Sequence, residues 1–344
     1  MMLGLAGGLS RLGWGGSTGL AAATLHGPLM VCGVFGTLIG VERAVALGRS
    51  WPWAAPALAA AGASLVPFGA PAATVAAVFG LAAACYAAVT TYLAREEPGL
   101  PSAAMLFGAL SWFAGCVAWL TTGSTAEGAG WWLMFLILTI GGERLEMSRL
   151  VRPSRWGDAA FLFGVSLMGA GAGAGLLEPA GSAVFGVGLA LLVAALVGRD
   201  VARVNIRRQG DVRYFSTCML AGYGWLALAA AILATAPFLD LPGRYDAPIH
   251  AAMLGFVGSM VFGHALIILP AVLGVRLRFS PALYVPLCLL HGAILLRVGG
   301  ALGSLETVRM ASGPLTVAAF AAFAACLVGA GRAPERARPT GARG

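Results

Sequence analysis

Four histidines, His26, His250, His264 and His291, are the side chains in this sequence best suited to chemistry. Neutral imidazole is the common ligand of haem iron, copper and zinc in proteins. His250 and His264 lie fourteen residues apart on one apolar stretch. On an α-helix that separation makes about four turns less roughly 40°, over a rise of roughly 21 Å. One helix face then carries an imidazole near each side of a bilayer, with Leu254, Val257, Val261 and Ile268 on the same face. The opposite side carries Gly255, Ser259 and Gly263, a small-residue ridge on which a neighbouring helix can pack closely.

Composition decides what such histidines can mean. The chain is 59% hydrophobic and 10% charged, with 50 glycines and a mean hydropathy of +0.86. A soluble globular chain carries about 25% charged residues, so the expected class is all-α and polytopic, an integral membrane protein in a lipid bilayer. The net charge of +8 comes from arginine alone, because the sequence contains no lysine. The arginines gather between apolar segments and in the terminal stretch, which fits anionic lipid and excludes nucleic acid as the expected partner. Cys32, Cys85, Cys116, Cys218, Cys288 and Cys326 all lie in apolar segments without a CxxC spacing and read as small buried hydrophobes.

Eleven apolar segments are long enough to cross a membrane: 20–47, 53–70, 72–94, 102–122, 129–149, 158–177, 180–202, 213–237, 247–273, 281–300 and 309–330. Residues 1–18 read as a short exposed or interfacial leader, 19–331 as a single transmembrane helical domain and 332–344 as a basic disordered tail. Eighteen arginines fall on one side of this arrangement and four on the other. The positive-inside rule then puts the N-terminus outside and the C-terminus in the cytoplasm, with a bacterial-type inner membrane as the expected location.

The stretch Leu38-Ile-Gly-Val-Glu42-Arg43 is echoed by Thr139-Ile-Gly-Gly-Glu143-Arg144, four segments later. His250 falls four segments on again, where the first segment has His26, so the segments read as repeated four-helix arcs with the last arc one helix short. Counting depth along antiparallel segments pairs His26 with His250 near the outer face, and His264 with His291 in the middle to inner half. Two imidazoles facing each other from separate helices can hold a haem between them. Each of these histidines also has an ordinary reading, as a helix cap for His26 or a hydrogen-bonded interior ring for the others. Arg297, inside an apolar segment six residues beyond His291, reads as a partner for haem propionates or as a snorkelling interfacial charge. Glu42 and Glu143 read as interfacial salt bridges to their arginine neighbours or as proton relays. Pro270 and Pro286 predict kinks near His264 and His291.

The run His250-Ala-x-x-x-Gly255-x-x-Gly258-x-Met260 resembles the late histidine-bearing helix of the NnrS family, and His26-Gly-Pro-Leu-Met30-x-x-Gly33 resembles that family's first one. NnrS proteins are haem- and copper-containing membrane proteins associated with nitric oxide, distantly similar to the catalytic subunits of haem-copper oxidases and nitric oxide reductases. The resemblance implies a haem b, with copper as a second candidate, held by His250, His264, His291 and His26. It implies electron transfer or handling of nitric oxide or oxygen, with a quinone or redox protein as partner. A haem-copper centre of the oxidase type uses six histidines and this chain has four, so a complete centre of that kind is not implied. The alternative from another class is a multi-helix transporter without a redox cofactor.

Overall fold

A computed structural model describes residues 1–14, 20–148 and 155–332. Among them the regular structure is helical throughout, with no strand. A short helix α1 (Met2–Arg11) is followed by α2 (Leu20–Thr24) and the long α3 (His26–Leu47). Next come α4 (Ala54–Leu65), extended by 3-10 turns at both ends, α5 (Ala72–Glu96), α6 (Leu100–Thr122) and α7 (Thr125–Met147). The chain continues through α8 (Arg155–Ala174), α9 (Pro179–Arg199), the short α10 (Ala202–Asn205) and α11 (Asp211–Thr235). It finishes with α12 (Asp246–Leu273), α13 (Tyr284–Leu302) and α14 (Glu306–Arg332).

Nine helices among the described residues are long and apolar enough to cross a membrane. α4 and α7, which cover two of the eleven expected segments, fall outside that group. α4 is only 12 residues long as α-helix, and α7 carries Glu127, Glu143, Arg144 and Glu146 along its length. α7 is nevertheless the helix most enclosed by protein, buried without a break from Trp132 to Gly142. It touches both α3 and α12, which also touch each other, so these three helices meet inside the bundle. Consecutive helices pair as antiparallel neighbours around them, and α1 closes against α3 and α14. The stretch expected to be a leader therefore includes a packed helix over residues 2–11, whereas the expected tail lies outside the described residues apart from its first position.

α3 and α12 share an irregularity that periodicity could not show. Each is interrupted by a wide i→i+5 turn, over Leu29–Phe35 in α3 and Ala251–Gly258 in α12, just after its first histidine. Such turns wind more slowly than an α-helix, so the 100° step fails across 251–258 and everything beyond is rotated relative to His250. The small-residue ridge does pack as expected: Gly255 lies so close to Trp225 of α11 that an added Cβ would meet its side chain at 2.5 Å. Pro270 lies inside α12, but Pro286 falls in the first turn of α13, where its missing N–H breaks no helical bond. α3 and α12 each end on a left-handed glycine, Gly48 (φ 62°) and Gly274 (φ 67°), a conformation that a side chain would strain.

The end of the bundle where α7 and α9 finish is held by a buried ion pair. Arg144 of α7 donates to both carboxylate oxygens of Asp200, at 2.9 and 2.7 Å, and the two side chains are 2% and 1% exposed. The Tyr223 hydroxyl and the Ala202 N–H complete the shell of Asp200 at 2.7 and 2.8 Å. Asp200 stands just past the end of α9; burial opposes its charge, but Arg144, Ala202 and Tyr223 outweigh it and hold the carboxyl below its usual range. Arg144→Ala leaves that carboxylate buried and unpaired, so we expect a stability loss of about 3–5 kcal/mol. A lowered melting midpoint in detergent checks it, and the double replacement Arg144→Leu with Asp200→Leu should recover most of the loss.

Candidate functional site

A cavity of about 330 Å³ opens among α1, α3, α7, α12 and α14, with Arg297 of α13 at its wall. That volume is at the lower end of the roughly 300–1,000 Å³ typical of ligand sites. Most of the lining is apolar, from Met30, Val34, Leu133, Met253, Val261 and Phe320 among others. The polar groups concentrate toward the end where α1 roofs it: His26, His250, Asp246, Arg297, Arg11 and Tyr245.

His26 and His250, at the starts of α3 and α12, come to this one cavity as the depth count expects. The His26 Nδ1 lies 2.8 Å from the carbonyl oxygen of Gly4, in α1. A carbonyl can only accept, so Nδ1 carries the proton and Nε2 of the neutral ring keeps its lone pair. Gly8 of α1 lies against the same ring, and a Cβ there would come within 2.8 Å of its Cε1. The His250 Nδ1 donates in the same way, to the carbonyl of Asp246 one turn earlier at 2.9 Å. The Asp246 carboxylate is 3.3 Å from the same nitrogen and accepts two bonds from Arg297, at 2.8 and 2.7 Å. Arg297, expected as a propionate partner or a snorkelling charge, instead ties α13 to α12 and fixes the carboxylate beside His250.

His264 and His291 do not meet. His264 stands edge-on to Phe215 of α11 at 4.8 Å between ring centres, whereas His291 stacks on Trp225 of the same helix at 6.2 Å. Ten residues separate those two aromatic partners, which is about 15 Å of helix. His264 is also absent from the cavity lining, which reaches no further along α12 than Val261, three residues before it. Its Nδ1 donates to the Met260 carbonyl at 2.8 Å, and its buried Nε2 has no hydrogen-bond partner. His291 has the opposite tautomer: its Nδ1 accepts from the indole N–H of Trp225 at 2.8 Å, so Nε2 carries the proton. That Nε2 is buried and unpartnered, and offers a metal no lone pair.

Asp246, Gly4, Gly8 and Trp225 take part in these arrangements, yet no sequence pattern singled them out above. Asp246 had a local signal, an acid one turn before a histidine. The others depend on contacts between distant segments.

The sequence profile of one protein family, described as a domain of unknown function (DUF8744), matches residues 1–332. The chain belongs to that family. No curated protein and no solved structure matches it.

Nitrogen-15 solid-state NMR of histidine-labelled protein checks the ring assignments. We expect the Nδ1-protonated signature at His26, His250 and His264 and the Nε2-protonated one at His291, with Trp225→Phe releasing the last.

Proposed function

We propose that this chain is a multi-pass membrane protein that holds a haem in the cavity under α1, with His26 and His250 as its protein ligands, for electron transfer or handling of a diatomic such as nitric oxide or oxygen. One observation carries the proposal. Two imidazoles from separate helices reach a single apolar cavity, each with Nδ1 fixed by a carbonyl and the other nitrogen left for a ligand. Ligating histidines are held in this way, their second nitrogen donating to a carbonyl or carboxylate.

The donor set favours haem over a protein-only copper site. Among the described residues no group of three or more His, Cys, Asp and Glu side chains is placed to hold a metal ion, and a haem needs only one or two protein ligands. When bound, the haem would supply redox chemistry at its iron. The protein's part is to orient the rings through Gly4 and Asp246, hold Asp246 through Arg297, and keep the surroundings apolar. His264 is a further candidate ligand through its unpartnered Nε2, whereas His291 could serve only by giving up its bond to Trp225. The resemblance to the NnrS family falls on the same two helices and supports the reading, as does the meeting of α3, α7 and α12, which suits repeated four-helix arcs. We extend it to eleven spans in a bacterial-type inner membrane with the N-terminus outside, and to a quinone or redox protein as partner.

A transporter without a redox cofactor is the second reading, favoured by the wide turns that interrupt α3 and α12 beside an open cavity. An absorption spectrum of the purified protein separates the two. Reduced-minus-oxidised haem bands, lost in His26→Ala and His250→Ala and kept in His291→Ala, support the first, and protein purified after growth with ample haem that is colourless removes it.

A further inference from the structure

The two echoed Glu–Arg pairs meet each other. Arg43 of α3 pairs with Glu143 of α7, not with its neighbour Glu42, and also reaches the Met105 sulfur of α6 at 3.3 Å. Arg144, the other echoed arginine, is engaged by Asp200. Glu42 is left half-buried with no cation of its own, within electrostatic reach of Glu143, Arg43 and His264. Among the described residues, Glu42, Glu143 and Asp200 have Arg43 and Arg144 as the cations engaged with them, and with His264 neutral these five groups sum to one negative charge.

Two half-buried carboxylates beside a single guanidinium repel each other when both are ionised, and a proton is the simplest neutralising ligand. Other polar atoms around the cluster are unsatisfied too. The Tyr86 hydroxyl of α5, which faces Arg43, Glu143 and Glu42, is fully buried and makes no well-formed hydrogen bond, with Arg43 its nearest polar neighbour. The Nε of Arg43 and the Nε2 of His264 are buried and unpartnered as well.

The cluster lies next to the deep end of the cavity. Leu38 and Val261 line the cavity, and Glu42 and His264 follow them by four and three residues on the same helices. That is one helical turn, about 6 Å and about 4.5 Å of rise.

We propose that Glu42 and Glu143 share one proton at neutral pH, forming a proton-holding site between the arginine-rich end of the bundle and the floor of the cavity. The site goes beyond the haem proposal and stands whether or not a cofactor occupies the cavity. The proton remains on a carboxyl oxygen, and Arg43 balances the charge that is left.

Infrared spectroscopy of the purified full chain in lipid nanodiscs tests this, because a protonated carboxyl has a C=O stretch separate from the carboxylate bands and sensitive to deuterium exchange. The wild type should show that band at neutral pH, and Glu42→Gln should lose it. Glu143→Gln should lose it too, since the remaining carboxyl would then ionise opposite Arg43, whereas Asp246→Asn should keep it. Glutamine matches the shape of a protonated glutamate, and an unchanged melting midpoint for Glu42→Gln confirms an intact fold. Absence of the band in the wild type, its full retention in Glu42→Gln, or its abolition by sodium ions would overturn the proposal, the last in favour of a metal cation.

Discussion

The Asp246–Arg297 pair is the contact on which the cavity's chemistry depends. A guanidinium within an apolar helix must find a counter-charge, and Arg297 finds it on the neighbouring helix, one turn before His250. The same two bonds that neutralise the arginine fix the carboxylate beside the imidazole and hold α13 against α12. At the other end Arg144 and Asp200 act in the same way, joining α7 to the end of α9 and, through Tyr223, to α11. The bundle is tied by charge at both ends and by apolar packing in between.

The sequence made the helical class, the small-residue ridge and the candidate ligands legible, because these rest on residue type and regular spacing. Placement of His26 and His250 near one another was legible for the same reason: each begins a long apolar segment running in the same direction. What regular spacing could not show is a change in winding. The turn over Ala251–Gly258 contains nothing in composition that distinguishes it from ordinary helix, yet it breaks the uniform 100° step by which later positions are assigned to a face. The expected meeting of His264 with His291 failed in depth itself, since their aromatic partners Phe215 and Trp225 stand ten residues apart on α11, about 15 Å along the helix.

Charge pairing was the other illegible part. Adjacent Glu and Arg residues read as local salt bridges, but neighbours in a helix point about 100° apart and seek partners on other helices. Arg43 found Glu143 and Arg144 found Asp200, so the repeat visible in the sequence became a contact between its own copies. Only the crossing of α3 and α7 makes the charge imbalance visible.

The roof of the cavity has one more anchor. The indole of Trp14, three residues past α1, donates to the Met310 carbonyl in α14 at 2.8 Å, across 296 residues of chain. The helix that roofs His26 is therefore fastened to α14 as well as to α3, so the roof is complete only when both ends of the described chain are in place. A bond between such distant segments cannot form before both have folded, so the cavity stays open on that side until α1 and α14 come together.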